Sequence, residues 1–204
     1  MKKLDDVNSV DGWFGYWKAY GSLAKTFLPK NATVVEVGSW LGRSTIGMAI
    51  MNRDMDKPCK IYAVDTWEGS SGCDDEDYHK EIKSNLLQKE NTTLYEKFIS
   101  NVKEFGLEDT IIPIRKTSEE ASKGFEDESI DFLIIDAAHD FDNVYNDLKC
   151  WIPKVKKGGI VIGDDHSPSF PSVEAAVVAY FGRGNYELFD NSDIGLSETW
   201  WKKL

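Results

Sequence analysis

The sequence predicts one α/β domain with a mainly parallel sheet and helices on both of its faces. Apolar runs rich in β-branched residues alternate along the chain with segments of helical period, which is the pattern of strand–helix–strand units. The 204 residues are enough for one domain with a substantial core, and too few for a second large domain. A content of 41% hydrophobic and 29% charged residues is typical of a soluble globular protein.

The first predicted element is a leading helix over residues 9–28. Apolar side chains recur there mostly at steps of three or four, which is the helical period. They are Trp13, Trp17, Tyr20, Leu23, Ala24 and Phe27. Pro29 and Asn31 end the helix. Residues 1–32 are therefore expected to form a leading cap on a single domain that spans residues 1–204.

The remaining elements alternate between strand and helix. Seven β-branched or aromatic runs predict strands near residues 33–37, 60–64, 111–115, 130–136, 159–164, 186–189 and 196–201. Segments of helical period predict helices at residues 44–52, 77–87, 93–105, 143–155 and 172–181.

Residues 66–92 are expected to form a lid-like insertion, because their first part is irregular and rich in glycine and serine. The four acids at 74–77 are interpreted as a solvated run that favours the positive end of the following helix, and the alternative is a metal or partner site.

Composition excludes several classes of partner. A net charge of −11 opposes binding to a phosphate backbone, so nucleic acid is not expected as a partner. No apolar run approaches the ~20 residues of a membrane span, so a membrane partner is not expected either. No apolar stretch follows the first lysines, which favours a cytoplasmic protein over a secreted one. The three cysteines lie far apart, so they indicate reduced thiols rather than a disulfide framework.

The segment from Val34 to Thr45 combines a buried strand, a glycine turn and a helix start, and it is interpreted as a ligand loop. Gly38 lets the chain turn sharply beside a ligand, and Gly42 lets the helix pack close to the strand. The glycines stand three residues apart, which differs from the GxGxxG fingerprint of nicotinamide and flavin enzymes. The segment also lacks the GK[ST] triplet of a P-loop.

The pattern Glu36-x-Gly38-xxx-Gly42-x-Ser44 resembles motif I of the class I S-adenosylmethionine-dependent methyltransferases. The resemblance extends from about Gly12 to Phe181. It implies a Rossmann-like methyltransferase fold, with strand order 3-2-1-4-5-7-6 and the last strand antiparallel. It also implies S-adenosylmethionine as the cofactor, held by Glu36, Gly38, Ser39, Trp40, Gly42, Ser44, Asp65, Thr66, Ser118, Glu119 and Asp136.

Within this resemblance, Asp65 ends the second strand, where an acid holds the ribose hydroxyls in that superfamily. A carboxylate suits the role because it can accept hydrogen bonds from two vicinal hydroxyls. Ser118 and Glu119 follow the third strand, where these enzymes usually contact the adenine.

Each of these residues also has an ordinary structural explanation. Glu36 could be a core carboxylate with protein partners, and Asp65 could cap the following turn. Ser118 could be a helix N-cap, with Glu119 as a first-turn acid. Trp40 and Trp67 could be packing aromatics rather than pocket walls.

Acids follow two neighbouring strands of the predicted sheet. Asp136 ends the fourth strand, and Asp164 and Asp165 end the fifth. Parallel neighbours lie about 4.8 Å apart with their carboxyl ends on one edge, so the three carboxylates are expected to converge. They would repel one another unless a cation sits between them, and oxygen ligands favour Mg²⁺ or Ca²⁺. The alternative is that Asp136 contacts only the cofactor and Asp165 only orders its loop.

This arrangement resembles the metal-dependent O-methyltransferases of the catechol, caffeoyl-coenzyme A and macrolide-sugar types. The resemblance implies that Asp136, Asp164 and Asp165 hold the metal. The catechol and caffeoyl types have a lysine three residues after the first acid, whereas this chain has His139. Histidine titrates near neutral pH and can serve as the general base, although the change argues against a catechol substrate.

The expected reaction is methyl transfer to a small-molecule hydroxyl on a sugar, polyketide or phenol, with His139 or Asp136 as the proton acceptor. The aromatic residues Trp13, Phe14, Tyr16 and Trp17 are explained equally well by an acceptor pocket, by core packing or by a homodimer contact. Three rivals remain: a metal-independent methyltransferase, a non-catalytic nucleotide-binding module, and a nicotinamide-dependent oxidoreductase that the glycine spacing disfavours.

Overall fold

The computed structural model describes residues 2–69, 76–189 and 198–204. Within these ranges, seven strands form one sheet in the order β3-β2-β1-β4-β5-β7-β6. The strands are β1 (Ala32–Val37), β2 (Cys59–Asp65), β3 (Ile111–Arg115), β4 (Ile130–Ile135), β5 (Val155–Gly163), β6 (Glu187–Leu188) and β7 (Trp200–Lys203). The first five are parallel, and β7 runs antiparallel to both β5 and β6. The predicted strand order and the antiparallel last strand are confirmed.

Seven α-helices flank the sheet in the described ranges. They are α1 (Trp17–Phe27), α2 (Arg43–Asp54), α3 (Glu76–Asn85), α4 (Leu94–Glu104), α5 (Ser118–Ser122), α6 (Phe141–Trp151) and α7 (Pro171–Phe181). Helices α1, α2 and α4 contribute to the core on one face of the sheet, and α6 and α7 to the core on the other. Alternate strand residues therefore face opposite cores, as Val34 and Val35 do. None of the described helices combines the length and apolar character that a membrane span needs.

The predicted leading helix over residues 9–28 is wrong in its first half. A 3₁₀ turn covers Leu4–Ser9, and the α-helix begins only at Trp17. Gly12 has a φ of +123°, which no α-helix accommodates. The side chain of Arg43 also donates to the Gly12 carbonyl at 2.9 Å and to Asn8 at 2.6 Å, which holds this stretch across the start of α2. Tertiary contacts thus override the helical period of the aromatic residues.

Other boundaries differ by a few residues. The predicted helix at 143–155 ends at Trp151, because a 3₁₀ turn with Pro153 follows and β5 begins at Val155. The short helix α5 is absent from the prediction, since five residues are too few for a periodic pattern. The predicted strand over 196–201 begins outside the described residues, and its described part is β7. Residues 70–75, with the start of the acidic run at 74–77, also lie outside them.

Candidate functional site

Residues that follow five neighbouring strands line a cavity of about 570 Å³. These strands are β3, β2, β1, β4 and β5 in sheet order, and they are parallel, so all five end at one edge. The chain order reverses between β1 and β4, and ligands of open α/β sheets bind at such a switch point. The cavity lies within the range of about 300–1,000 Å³ that small-molecule sites occupy.

The glycine loop after β1 forms the floor of the cavity. Gly38 has a φ of +93°, and a Cβ there would overlap the carbonyl group of Asp136 and lie 2.7 Å from the Cα of Ala137. A glycine is therefore needed at this position for close approach to the end of β4. Gly42 has a φ of +91° and caps α2, and a Cβ there would lie 3.0 Å from the Phe98 ring. Gly42 supports the loop from behind and does not line the cavity.

Asp65 holds the glycine loop in place. One carboxylate oxygen accepts from the backbone N–H groups of Ser39 at 3.1 Å and Trp40 at 2.8 Å. The other accepts from the N–H of Trp67 at 2.7 Å. Burial raises the pKa of Asp65, and these backbone donors oppose the rise. Asp65 and Thr66 both line the cavity.

Two tryptophans at this loop have left-handed backbone conformations. Trp40 has a φ of +45° and Trp67 a φ of +53°. Such conformations are uncommon for bulky residues and cluster at binding sites. The Trp67 indole donates to the Trp40 carbonyl at 2.6 Å, and Trp67 packs against Phe98 and Tyr95. Trp40 lines the cavity, whereas Trp67 is a buried packing residue.

Glu36 lies outside the cavity lining, in contrast to the role that the resemblance implies. Its side chain is fully buried and accepts from the Tyr16 hydroxyl at 2.9 Å and from the Thr45 hydroxyl. Burial raises the pKa of Glu36, and the hydroxyl donors, which also include Ser44, oppose the rise. The carboxylate therefore fastens the leading segment to β1 and α2. Ser44 and Ser39 do line the cavity.

Of the two site residues predicted after β3, only one lines the cavity. Ser118 lines the cavity, but Glu119 is exposed and pairs with Lys123 at 2.8 Å. Thr117, not Ser118, is the N-cap of α5. Helical geometry turns Glu119 to solvent, because neighbours in a helix point about 100° apart. Glu119 thus lies outside the lining, in contrast to its predicted adenine contact.

The acidic cluster gathers at the ends of β4 and β5. Ligand atoms of Asp136, His139 and Asp165 lie within 4.8 Å of one another, and His139 Nε2 is 2.8 Å from Asp165 Oδ2. Asp164 is not part of this group, and it accepts from the Thr199 hydroxyl at 3.2 Å. The sequence predicted Asp136, Asp164 and Asp165 as the metal ligands. The geometry instead brings His139 together with Asp136 and Asp165.

Electrostatics at this end of the cavity are unfavourable for bare carboxylates. Burial raises the pKa of Asp136 well above its ordinary value, and the charges of Asp164 and Asp165 raise it further. Burial and the neighbouring Asp165 charge also raise the pKa of Asp164 to about 7. A positive group in this space would relieve the repulsion. The donor set, carboxylate oxygens and one imidazole, therefore fits a divalent cation or an organic cation.

The leading segment closes one wall of the cavity. Gly12, Trp13 and Gly15 line it, and a Cβ at Gly15 would lie 3.0 Å from Asp164. Trp13 is 51% exposed and so stands at the mouth. Phe14 instead packs against α2 at Gly47, and Tyr16 is buried beside Glu36. Trp17 is exposed. The four aromatic residues of the leading segment therefore divide among the cavity wall (Trp13), the core (Phe14 and Tyr16) and the surface (Trp17).

Several lining residues were missed from the sequence. Phe170 contacts the His139 ring with centroids 4.5 Å apart, and Asp147 lines the cavity from α6. Asp147 shares a helix face with the buried residues Val144, Leu148 and Trp151. An acid on an apolar helix face is a signal that could have identified it.

Comparison with known proteins gives a family and a fold. Residues 35–166, more than half of the chain, match the family described as a methyltransferase domain. The chain is 28% identical over 159 residues to the uncharacterized protein y4gI of Sinorhizobium fredii. That match covers 76% of this chain but 14% of y4gI, so the chain spans a small part of that relative's length.

Solved structures share the fold. The O-methyltransferase NovP has a TM-score of 0.59 at 20% identity, covering 98% of this chain and 78% of NovP. CalS11, a TDP-rhamnose 3'-O-methyltransferase of calicheamicin biosynthesis, has a TM-score of 0.59 at 16% identity, covering 98% and 79%. SMU.1697c of Streptococcus mutans, in complex with SAH, has a TM-score of 0.61 at 11% identity, covering 95% and 100%. At such identities the likeness shows the fold alone.

Proposed function

Because this chain belongs to the methyltransferase-domain family, we propose that it transfers the methyl group of S-adenosylmethionine to a hydroxyl group of a small molecule. One observation carries the proposal. Asp136, His139 and Asp165 converge at one end of the cavity, and the glycine loop, Asp65 and Ser118 line the rest. The residues proposed to accept the proton and those proposed to bind the cofactor therefore line the same cavity.

Charge favours a cationic cofactor. Among the described residues that line the cavity, seven carry a carboxylate and two a permanent positive charge. The carboxylates belong to Asp65, Asp136, Asp140, Asp147, Asp164, Asp165 and Glu198. The sulfonium of S-adenosylmethionine is attracted by such a field, whereas the pyrophosphate of a nicotinamide cofactor is repelled by it. This supports the methyl donor over the oxidoreductase alternative, and the SAH bound to SMU.1697c agrees with it.

The proton acceptor is assigned to His139. Its Nε2 lies 2.8 Å from Asp165, and the ring is held by contact with Phe170. When the acceptor hydroxyl loses its proton, the imidazolium that forms is stabilised by Asp165 and Asp136. A cavity that held the hydroxyl oxygen, methyl carbon and sulfur in line would lower the barrier by orientation, which can contribute about 7–11 kcal/mol.

A divalent cation, Mg²⁺ or Ca²⁺, is part of the proposal. Asp136, Asp164 and Asp165 would hold it, which leaves His139 as the base, and it would lower the pKa of the acceptor hydroxyl. A metal-independent methyltransferase is the second candidate, because the direct contact of His139 with Asp165 gives this carboxylate a partner without a metal.

The acceptor is proposed to be a sugar, polyketide or phenolic hydroxyl. Trp13 and Phe170 line the cavity, and such rings pack against the flat faces of sugars and phenols. NovP and CalS11 are O-methyltransferases with this fold, and CalS11 acts on TDP-rhamnose, which makes glycosylated compounds the first acceptors to test.

The test is transfer of a radiolabelled methyl group to a panel of nucleotide sugars, glycosides and phenols. His139→Ala is expected to slow turnover by about 10²–10⁴-fold. Asp142→Asn is the matched control, because Asp142 is exposed on α6 and outside the cavity lining. Chelation followed by Mg²⁺ addition decides the metal: full activity after chelation favours the metal-independent enzyme. Unchanged turnover in His139→Ala would refute the assigned base.

A further inference from the structure

A buried carboxylate on α6 lines the cavity outside the acidic cluster. Asp147 is 7% exposed, and no Lys, Arg or His in the described ranges forms an ion pair with it. Burial raises the pKa of Asp147 to about 6, so the ionised group is disfavoured at this position. A carboxylate kept in such a place without a cationic partner indicates a ligand that donates to it.

Neighbouring side chains fix which oxygen of Asp147 is available. The Trp151 indole can only donate, and it donates to Ser118 Oγ at 2.8 Å. The Ser118 hydroxyl is therefore free to donate its own hydrogen, and it donates to Asp147 Oδ1. None of the described residues donates to Asp147 Oδ2. The Trp151–Ser118 chain thus holds the carboxylate in one orientation and leaves Oδ2 for a ligand.

The order of the strands in the sheet would place the adenine of the cofactor near Asp147 Oδ2. The methyl group has to reach His139 and Asp136, which follow β4. The nucleoside would then extend the other way, past β1 and Asp65 at the end of β2, toward Ser118 beyond β3. Ser118 and Asp147 line that part of the cavity and are in direct contact.

We propose that Asp147 accepts a hydrogen bond from the 6-amino group of the adenine, and that it makes the site selective for adenosyl over inosyl compounds. This rests on the proposed function, because it assigns a residue to the cofactor's base. A 6-oxo purine presents an acceptor where adenine presents a donor, so its oxygen would oppose the carboxylate. Hydrogen bonds to charged groups predict discrimination of about 10- to 100-fold.

The experiment compares the affinities of S-adenosylhomocysteine and S-inosylhomocysteine by calorimetry. Wild type is expected to prefer the adenosyl compound by about 10- to 100-fold. Asp147→Asn keeps an oxygen that can accept from Ser118 and presents an amide donor in place of the second oxygen. In this variant the preference is expected to disappear or reverse. The control is Asp142→Asn, the same change at an exposed site on the same helix, which should keep the wild-type ratio.

A purely structural Asp147 would change both affinities by the same factor, and an unchanged ratio in Asp147→Asn would overturn the proposal. Equal affinities in wild type would overturn it without any variant. If wild type binds the adenosyl compound but shows either of these results, the proposed function stands and this assignment fails. If wild type binds neither compound, the proposed function fails and the assignment fails with it.

Discussion

Replacing Gly38 by alanine places a methyl group against the backbone that carries Asp136. The methyl carbon would overlap the Asp136 carbonyl group and lie 2.7 Å from the Cα of Ala137. These atoms belong to the end of β4, and backbone there cannot move aside as a flexible side chain can. The change therefore strains the junction of β1 and β4, on which the cavity depends.

Two contributions set the size of the effect. A residue with a side chain in the left-handed region costs about 1–2 kcal/mol, and overpacking a tight site adds about 1–3 kcal/mol. Gly38→Ala should therefore lower the free energy of unfolding by about 2–5 kcal/mol. Gly106→Ala is the matched control, because Gly106 also has a positive φ, +66°, but has nothing within 4 Å of its Cβ position. Gly106→Ala should therefore lower the free energy of unfolding only by the cost of the left-handed conformation, about 1–2 kcal/mol.

Urea unfolding followed by tryptophan fluorescence measures both variants. Gly38→Ala should also bind S-adenosylhomocysteine at least about tenfold more weakly, while Gly106→Ala binds it as wild type does. If the two variants unfold within about 0.5 kcal/mol of each other, the close approach of the glycine loop to β4 is not what requires Gly38.

Three further predictions concern polar groups. Tyr16→Phe removes a donor to the buried Glu36 and should lower the free energy of unfolding by about 1–3 kcal/mol. Tyr20→Phe is the control: the Tyr20 hydroxyl accepts from a neutral amide, so its loss should lower the free energy of unfolding by less. Equal losses of the two variants in urea unfolding would contradict this. Asp65→Asn can place an amide N–H group opposite the backbone N–H donors of the glycine loop, and it should weaken S-adenosylhomocysteine binding by about tenfold in calorimetry. Unchanged affinity would refute the role of Asp65 in holding this loop. For Asp147, the folded pKa of about 6 exceeds the ordinary 3.8, so wild type loses stability as pH rises between them. The unfolding free energy of Asp147→Asn relative to wild type should therefore rise by about 2 kcal/mol from about pH 4 to about pH 7, and a pH-independent difference would count against it.

The alternation of strands and helices and the position of the site could be predicted from local signals in the sequence, whereas the strand order was implied by the resemblance to the class I methyltransferases. Apolar runs mark the parallel strands, and a glycine turn after the first strand marks the ligand loop. The carboxyl ends of parallel neighbours lie on one edge, so Asp136, Asp164 and Asp165 were expected to converge, and the structure groups Asp136 and Asp165.

Contacts distant in sequence decide what could not be predicted. Arg43 binds the carbonyl of Gly12 and breaks a helix that aromatic spacing favours. Asp164 and Asp165 are adjacent, but only Asp165 joins Asp136 and His139 in the cluster, while Asp164 accepts from the Thr199 hydroxyl. Sequence does not show such contacts, because they join residues far apart in the chain.

Binding of the adenosyl cofactor is the claim on which the rest depends, and an equilibrium titration of the purified protein tests it most directly. S-Adenosylhomocysteine should saturate one site per chain, NAD⁺ should not compete for it, and Gly38→Ala should weaken the binding. Absence of binding by wild type, or binding of NAD⁺ in its place, would contradict the account.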